Sequence, residues 1–224
     1  MSGIDAVVFD LDGLLIDTEQ VWDEVREDLV RERGGRWHDR AQADMMGMSS
    51  KEWSRYLHDE LGLSEPPDEL NRLVVERMEE RYRDRLPVID GAVDAVRRLA
   101  ERWPLGLASS SNRPLIDLAL ARLGVADLFR ATVSSEEVER GKPAPDVYLE
   151  AARRLGVPPE RIVAVEDSAN GIRAAKAAGM RAVAVPNIHF PPPMDVLESA
   201  DVRLESLAGL TPDAVESASS RPEP

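Results

Sequence analysis

The chain opens on an apolar run that closes with Ala6-Val7-Val8-Phe9 and passes at once into Asp10-Leu11-Asp12-Gly13. A near-continuous apolar run predicts a strand over 4–9 buried on both faces. Beyond it the period lengthens. Val21, Trp22, Val25, Leu29 and Val30 recur at helical spacing, predicting a helix over 17–36. Thr18 would cap it, Glu19 would sit in its first turn, and Gly34-Gly35 would end it. Shorter helical patterns cover 41–46 and 51–61, separated by a Gly47-Met48-Ser49-Ser50 turn. Pro66-Pro67-Asp68 starts a further helix running to residue 85.

From Pro87 onward, helical and strand patterns alternate. Helices are predicted over 91–103, 114–123, 145–155, 168–178 and 194–198. Strands fall between or after them, over 105–108, 131–133, 162–165, 182–185 and 202–204. Alternation of this kind means a parallel sheet with helices on both faces. The first strand must join that sheet, which makes the purely helical section an insertion. The expected fold is therefore α/β: a Rossmann-like three-layer α/β/α core from 1–17 and 86–216, interrupted by helices over 18–85. The Ser- and Pro-containing end, 217–224, reads as a disordered tail.

Totals narrow the function. A chain of 224 residues can bury one good core plus a small accessory domain. Its formal net charge of −14 argues against nucleic acid or an anionic membrane as partner. A small phosphorylated metabolite remains compatible if positive charge is concentrated locally. With no cysteine there is no disulfide framework and no thiol chemistry. No apolar stretch approaches the ~18 residues of a membrane helix, and no signal pattern precedes the first strand. A cytoplasmic enzyme, monomer or weak homodimer, is expected. Lysine occurs only at 51, 142 and 176, so a lysine inside a motif stands out.

Chemistry is expected just after the strands, where open α/β sheets bind ligands. Asp10 and Asp12 would repel each other at the end of a buried strand, and desolvation penalises both charges. A divalent cation resolves the conflict, and Mg²⁺, which takes carboxylate and carbonyl oxygens, suits it. Gly13 permits a tight turn and close approach to a ligand. One carboxylate can attack an electrophile while the other handles a proton. A solvated Asp-x-Asp-Gly turn is the competing reading; the position directly after a buried strand favours function. Ser109-Ser110-Ser111-Asn112 follows the second strand as either an anion site or a helix cap. Lys142, in Gly141-Lys142-Pro143-Ala144-Pro145, is either a solvated loop residue or a fixed ammonium for a phosphoryl group. Glu166-Asp167 forms a second acidic pair at a strand end. His38, His58 and His189 have no partner at metal-ligand spacing and read as packing or surface residues.

The stretch Phe9-Asp10-Leu11-Asp12-Gly13-Leu14-Leu15-Ile16-Asp17-Thr18-Glu19 resembles the first signature of the haloacid dehalogenase-like phosphohydrolases. Ser109, the Gly-Lys-Pro-x-Pro around Lys142, and Val165-Glu166-Asp167-Ser168 with Gly171 resemble the other three, in order, within 4–185. The likeness is nearest to the subgroup with an all-helical cap domain, here 18–85. That subgroup includes sugar phosphatases of the 2-deoxyglucose-6-phosphate type and β-phosphoglucomutases. It implies a Mg²⁺-dependent phosphatase acting on a small phosphorylated metabolite, such as a sugar phosphate, through an aspartyl-phosphate. Asp10 would be the nucleophile and Asp12 the acid–base group. Ser109 and Lys142 would hold the phosphoryl oxygens. Mg²⁺ would be bound by Asp10, the Asp12 carbonyl, Asp167 and, through water, Glu166. Gly13, Gly47, Ser50, Lys51, Ser110 and Asn112 match substrate-binding positions. Trp22, Met45, Met46, Met48 and Trp53 would line the cap or pack it. A phosphomutase is disfavoured because the mutases carry histidine where this chain has Trp22. A non-catalytic metabolite-binding protein is the alternative of a different class.

Overall fold

The computed structural model describes residues 3–45 and 48–220. Six strands form one parallel sheet: β1 (Ala6–Phe9), β2 (Leu105–Ser109), β3 (Phe129–Ser134), β4 (Ile162–Glu166), β5 (Arg181–Ala184) and β6 (Val202–Arg203). Their spatial order is β3-β2-β1-β4-β5-β6. β1 lies at the centre, hydrogen-bonded to β2 on one side and β4 on the other. The chain winds outward from β1 to β3, then crosses back to β4 and winds the other way. Such a reversal opens a crevice above the carboxyl ends of β1 and β4.

The continuous apolar run of β1 follows from its double burial. Val7 and Phe9 enter one core cluster, with Val96, Leu99, Leu115 and Ile116 of helices α5 (Ala92–Ala100) and α6 (Arg113–Leu123). Ala6 and Val8 enter the opposite cluster, with Val147, Tyr148 and Ala151 of α7 (Asp146–Leu155) and Ala174 of α8 (Ala169–Ala177). Alternate side chains on a strand point to opposite faces, so both faces must be apolar.

Between β1 and α5 the described residues contain four α-helices and no named strand: α1 (Glu19–Glu32), α2 (Ala41–Met45), α3 (Ser50–Asp59) and α4 (Pro67–Asp84). α4 packs on both α1 and α3. Ser49 starts α3 through a capping box with Glu52, as the turn residues anticipated. Thr18 behaves differently from expectation. It precedes α1 without a side-chain capping bond, because its hydroxyl is committed to Asp12.

After β5 come α9 (Met194–Ser199), β6 and α10 (Pro212–Ser217). The expected disordered tail is corrected at its start. Ser217 belongs to α10, and residues 218–220 add a 3₁₀ turn. Thr211 caps this helix at Ala214 N–H, 3.2 Å away, while Val215 and Ala218, three positions apart, bury their side chains. Two small apolar anchors suffice there, too few to register as a periodic pattern. The remainder of the expected tail, 221–224, lies outside the described residues. No helix among the described residues is long and apolar enough to cross a membrane.

Candidate active site

The buried ends of β1 and β4 bring Asp10, Glu166 and Asp167 together. One carboxylate oxygen from each lies within 4.8 Å of the others. Lys142 reaches in from the loop before α7. Its Nζ donates to Asp10 Oδ1 at 2.6 Å and to Glu166 Oε1 at 2.5 Å. Tyr148, on the first turn of α7, donates its hydroxyl to the same Glu166 oxygen at 2.6 Å. The other Glu166 oxygen accepts from Asp167 N–H, Ser168 N–H and the Ser168 hydroxyl. Both Glu166 oxygens are thus anchored by protein donors.

Charge in this cluster does not balance. Burial, with repulsion from Glu166 and Asp12 working against the Lys142 ion pair, pushes Asp10 up to about 8. Burial, then Glu166 and Asp10, holds Asp167 well above the usual carboxylate range. Burial alone would lower Lys142; its pairs with Asp10 and Glu166 outweigh that and hold it above its ordinary value. One ammonium against three buried carboxylates leaves negative charge over. Asp167 Oδ1 is moreover buried with no hydrogen-bond partner. An all-oxygen donor set with one orphaned carboxylate oxygen fits a hard divalent cation.

Two glycines make room for these acids. A Cβ on Gly13, whose φ is +84°, would lie 2.1 Å from Asp167 Oδ2. A Cβ on Gly171 would lie 1.8 Å from Glu166 Oε1. Gly171→Ala is therefore expected to displace Glu166 from Lys142 and to weaken divalent-cation binding by about 10–100-fold. A calorimetric titration of Mn²⁺ or Mg²⁺ into the variant checks this.

Asp12 stands apart from the cluster. Oδ1 accepts from the Thr18 hydroxyl at 2.6 Å, Tyr82 OH at 3.2 Å and Trp22 Nε1 at 3.3 Å. Oδ2 accepts from Ser111 Oγ at 2.7 Å, with Ser109 Oγ at 3.5 Å. Its carboxylate is aimed by donors from β1's own turn, from the helical insert and from the loop after β2. Its side chain is not among the converging oxygens.

The other expected residues divide. Ser110 and Ser111 line a cavity of about 70 Å³ above Asp10, together with Lys142 and Asp167. Ser109 does not line it; its fully buried hydroxyl accepts from Ser111 N–H at 3.0 Å and shapes that loop. Asn112 corrects the expectation of a phosphate contact. Its Nδ2 donates to Asn71 Oδ1 at 3.0 Å and Glu136 Oε1 at 2.7 Å, tying α6 to α4 of the insert. Ser50 likewise approaches Glu136, at 3.4 Å, instead of the cavity. Lys51 is exposed and lies off the cavity wall, because it occupies the solvent face of α3. Gly47 and Met46 lie outside the described residues. Trp22, Met45, Met48 and Trp53 do line the cavity. Sequence reasoning missed Tyr148, Tyr82 and Ser111 as partners of the acids, and missed Glu19 and Arg26 on the cavity wall. Glu19 and Arg26 had a usable signal: with Trp22 they share one face of α1.

Similarity to known proteins agrees with this geometry. The haloacid dehalogenase-like hydrolase family matches residues 4–179. Hexitol phosphatase B of Escherichia coli (strain K12) is 37% identical over 92% of this chain and 94% of its own. A phosphorylated carbohydrates phosphatase of Thermotoga maritima is 30% identical over 80% of this chain and 84% of its own. Among solved structures, CbbY from Rhodobacter sphaeroides in complex with phosphate superposes with a TM-score of 0.83 at 28% identity, covering 95% of this chain and 99% of that one. From the first strand through α8, then, the chain belongs to the haloacid dehalogenase-like hydrolase family.

Proposed function

We propose that this chain is a Mg²⁺-dependent phosphoric monoester hydrolase for a small phosphorylated metabolite, of the sugar-phosphate class. The observation that carries the reading is the convergence of Asp10, Glu166, Asp167 and Lys142 at the ends of β1 and β4. The phosphatases named among its relatives support the substrate class.

Asp10 attacks phosphorus, and the bond to the leaving oxygen breaks as an aspartyl-phosphate forms. Asp12 gives that oxygen its proton, then takes one from the water that hydrolyses the intermediate. Thr18, Ser111, Trp22 and Tyr82 keep the Asp12 carboxylate aimed for both transfers. Lys142 meets negative charge on the phosphoryl oxygens, and Ser110 on the cavity wall offers its hydroxyl. Asp10, Asp167, the Asp12 carbonyl and, through water, Glu166 would hold Mg²⁺. Bound there, it would neutralise phosphoryl charge. The helical insert, 18–85, acts as the cap domain that excludes water and selects the leaving group. A cytoplasmic setting and a monomer or weak homodimer complete the reading.

Trp22 weighs against a mutase. It faces Asp12 with an indole N–H, which donates only and cannot relay a proton to a second hydroxyl. The reading is tested by a panel of phosphorylated metabolites assayed with Mg²⁺ and with EDTA. Phosphate release in Mg²⁺ should fall by more than about 100-fold in EDTA and return on reloading. Absence of metal-dependent release from every phosphomonoester would overturn it.

A further inference from the structure

Glu19, Trp22 and Arg26 sit at i, i+3 and i+7 on α1, so they share one face. All three line the cavity above Asp10. The Trp22 bond to Asp12, at 3.3 Å, fixes the inner part of this face at the acid–base carboxylate. Arg26 stands one helical turn further along, about 6 Å down the axis.

Arg26 is 6% exposed. Its guanidinium carbon lies 4.6 Å from the Trp22 ring and 5.0 Å from the Trp53 ring. Among the described residues no hydrogen bond or ion pair reaches it, and Nε is buried without a partner. Glu19 does not supply one; its carboxylate takes a bond from Gln42 Nε2, at 3.4 Å. Two indole faces stabilise the cation, but aromatic rings do not accept its in-plane N–H groups. A guanidinium presents five such donors in a planar fork suited to an oxyanion. Burying Nε without an acceptor is costly unless the acceptor arrives with the substrate in the cavity that Arg26 lines.

We propose that Arg26 reads the far end of the leaving group, and that the preferred substrates are phosphomonoesters whose alcohol carries a second oxyanion, a carboxylate or a second phosphate. This deepens the phosphatase reading and rests on it. Glu19, Asp23 and Asp12 act on this cation only through space, so a neutral polyol would leave its N–H groups without a charged acceptor. The one-turn offset from Asp12 corresponds to a leaving group of roughly three to five carbons between ester oxygen and anion.

Two matched pairs test this at fixed Mg²⁺: 3-phosphoglycerate against glycerol 3-phosphate for the carboxylate, and fructose 1,6-bisphosphate against fructose 6-phosphate for the second phosphate. The wild-type enzyme should favour the charged member of at least one pair by about tenfold or more in kcat/KM. Arg26→Met should bring that ratio to near one, chiefly through KM, and Arg26→Lys should restore part of it. Wild-type ratios at or below one in both pairs overturn the proposal, and they do so even if Arg26→Met fails to fold. Equal losses for both members of a pair in a folded Arg26→Met overturn it as well, because a packing role alone would act that way. If the wild type also fails to hydrolyse p-nitrophenyl phosphate and every other monoester, the phosphatase reading itself falls; turnover without charge preference removes only the role of Arg26.

Discussion

Asp10→Asn is expected to lower phosphomonoester turnover by at least about 10⁴-fold while leaving the fold intact. The amide cannot form the aspartyl-phosphate, so the loss should appear in kcat and not be rescued by substrate. The fold should survive because the substitution removes one charge from an acidic cluster that has too many. Asp10 is pushed up to about 8, first by burial and then by Glu166 and Asp12 against Lys142. A neutral side chain of the same shape relieves that repulsion, and Lys142 keeps Glu166 as its partner at 2.5 Å. Steady-state assays with p-nitrophenyl phosphate and a thermal melt check both halves. Near wild-type turnover would remove Asp10 from the role of nucleophile.

Lys142→Met is the second large effect. The ammonium is buried between Asp10 and Glu166, with only 4% of its side chain exposed. Removing it strands two buried carboxylates, and breaking a buried ion pair from one side typically costs about 3–5 kcal/mol. Loss of a fixed positive charge at the phosphoryl oxygens should lower kcat by about 10²–10³-fold. The two losses should respond differently to metal. If saturating Mg²⁺ binds the folded state at Asp10 and Asp167 as proposed, it should recover part of the melting temperature. It should not recover kcat, because the ammonium's position beside Asp10 and Glu166 remains empty of charge. A melt with and without Mg²⁺, alongside initial rates, reads both. Recovery of kcat by metal alone would mean that Lys142 serves only to hold the acids together.

The residues named in these two predictions are legible in the sequence, and the reason is local. A strand buried on both faces writes itself as an unbroken apolar run, so the first polar residues after it are conspicuous. Asp10 follows β1 in this way, and Glu166 and Asp167 close β4. Lys142 stood out because lysine is scarce in this chain and Gly and Pro frame it. The aim of Asp12 was not legible, since Tyr82 OH comes from 70 positions away and only the packing of α4 against α1 delivers it. Asn112 and Ser50 looked like ligand contacts because they match substrate-binding positions of the resembled family. Their partners Asn71 and Glu136 come from other elements, and three-dimensional packing alone decides between phosphate and protein. Thr18 stands at the start of α1 as expected, but helix start and the Asp12 carboxylate compete for its hydroxyl, and the carboxylate takes it. Arg26 passed as one more charged helix residue, although its spacing from Trp22 puts it on the same face of α1.

The most direct measurement is a rapid acid quench of excess enzyme with Mg²⁺ and a phosphorylated substrate, followed by peptide mass spectrometry. The expected result is a covalent phosphate on the peptide containing Asp10, formed within the first turnover and absent from Asp10→Asn. Complete turnover with no covalent phosphate on the protein, or with phosphate on any other residue, would contradict the proposed chemistry at β1.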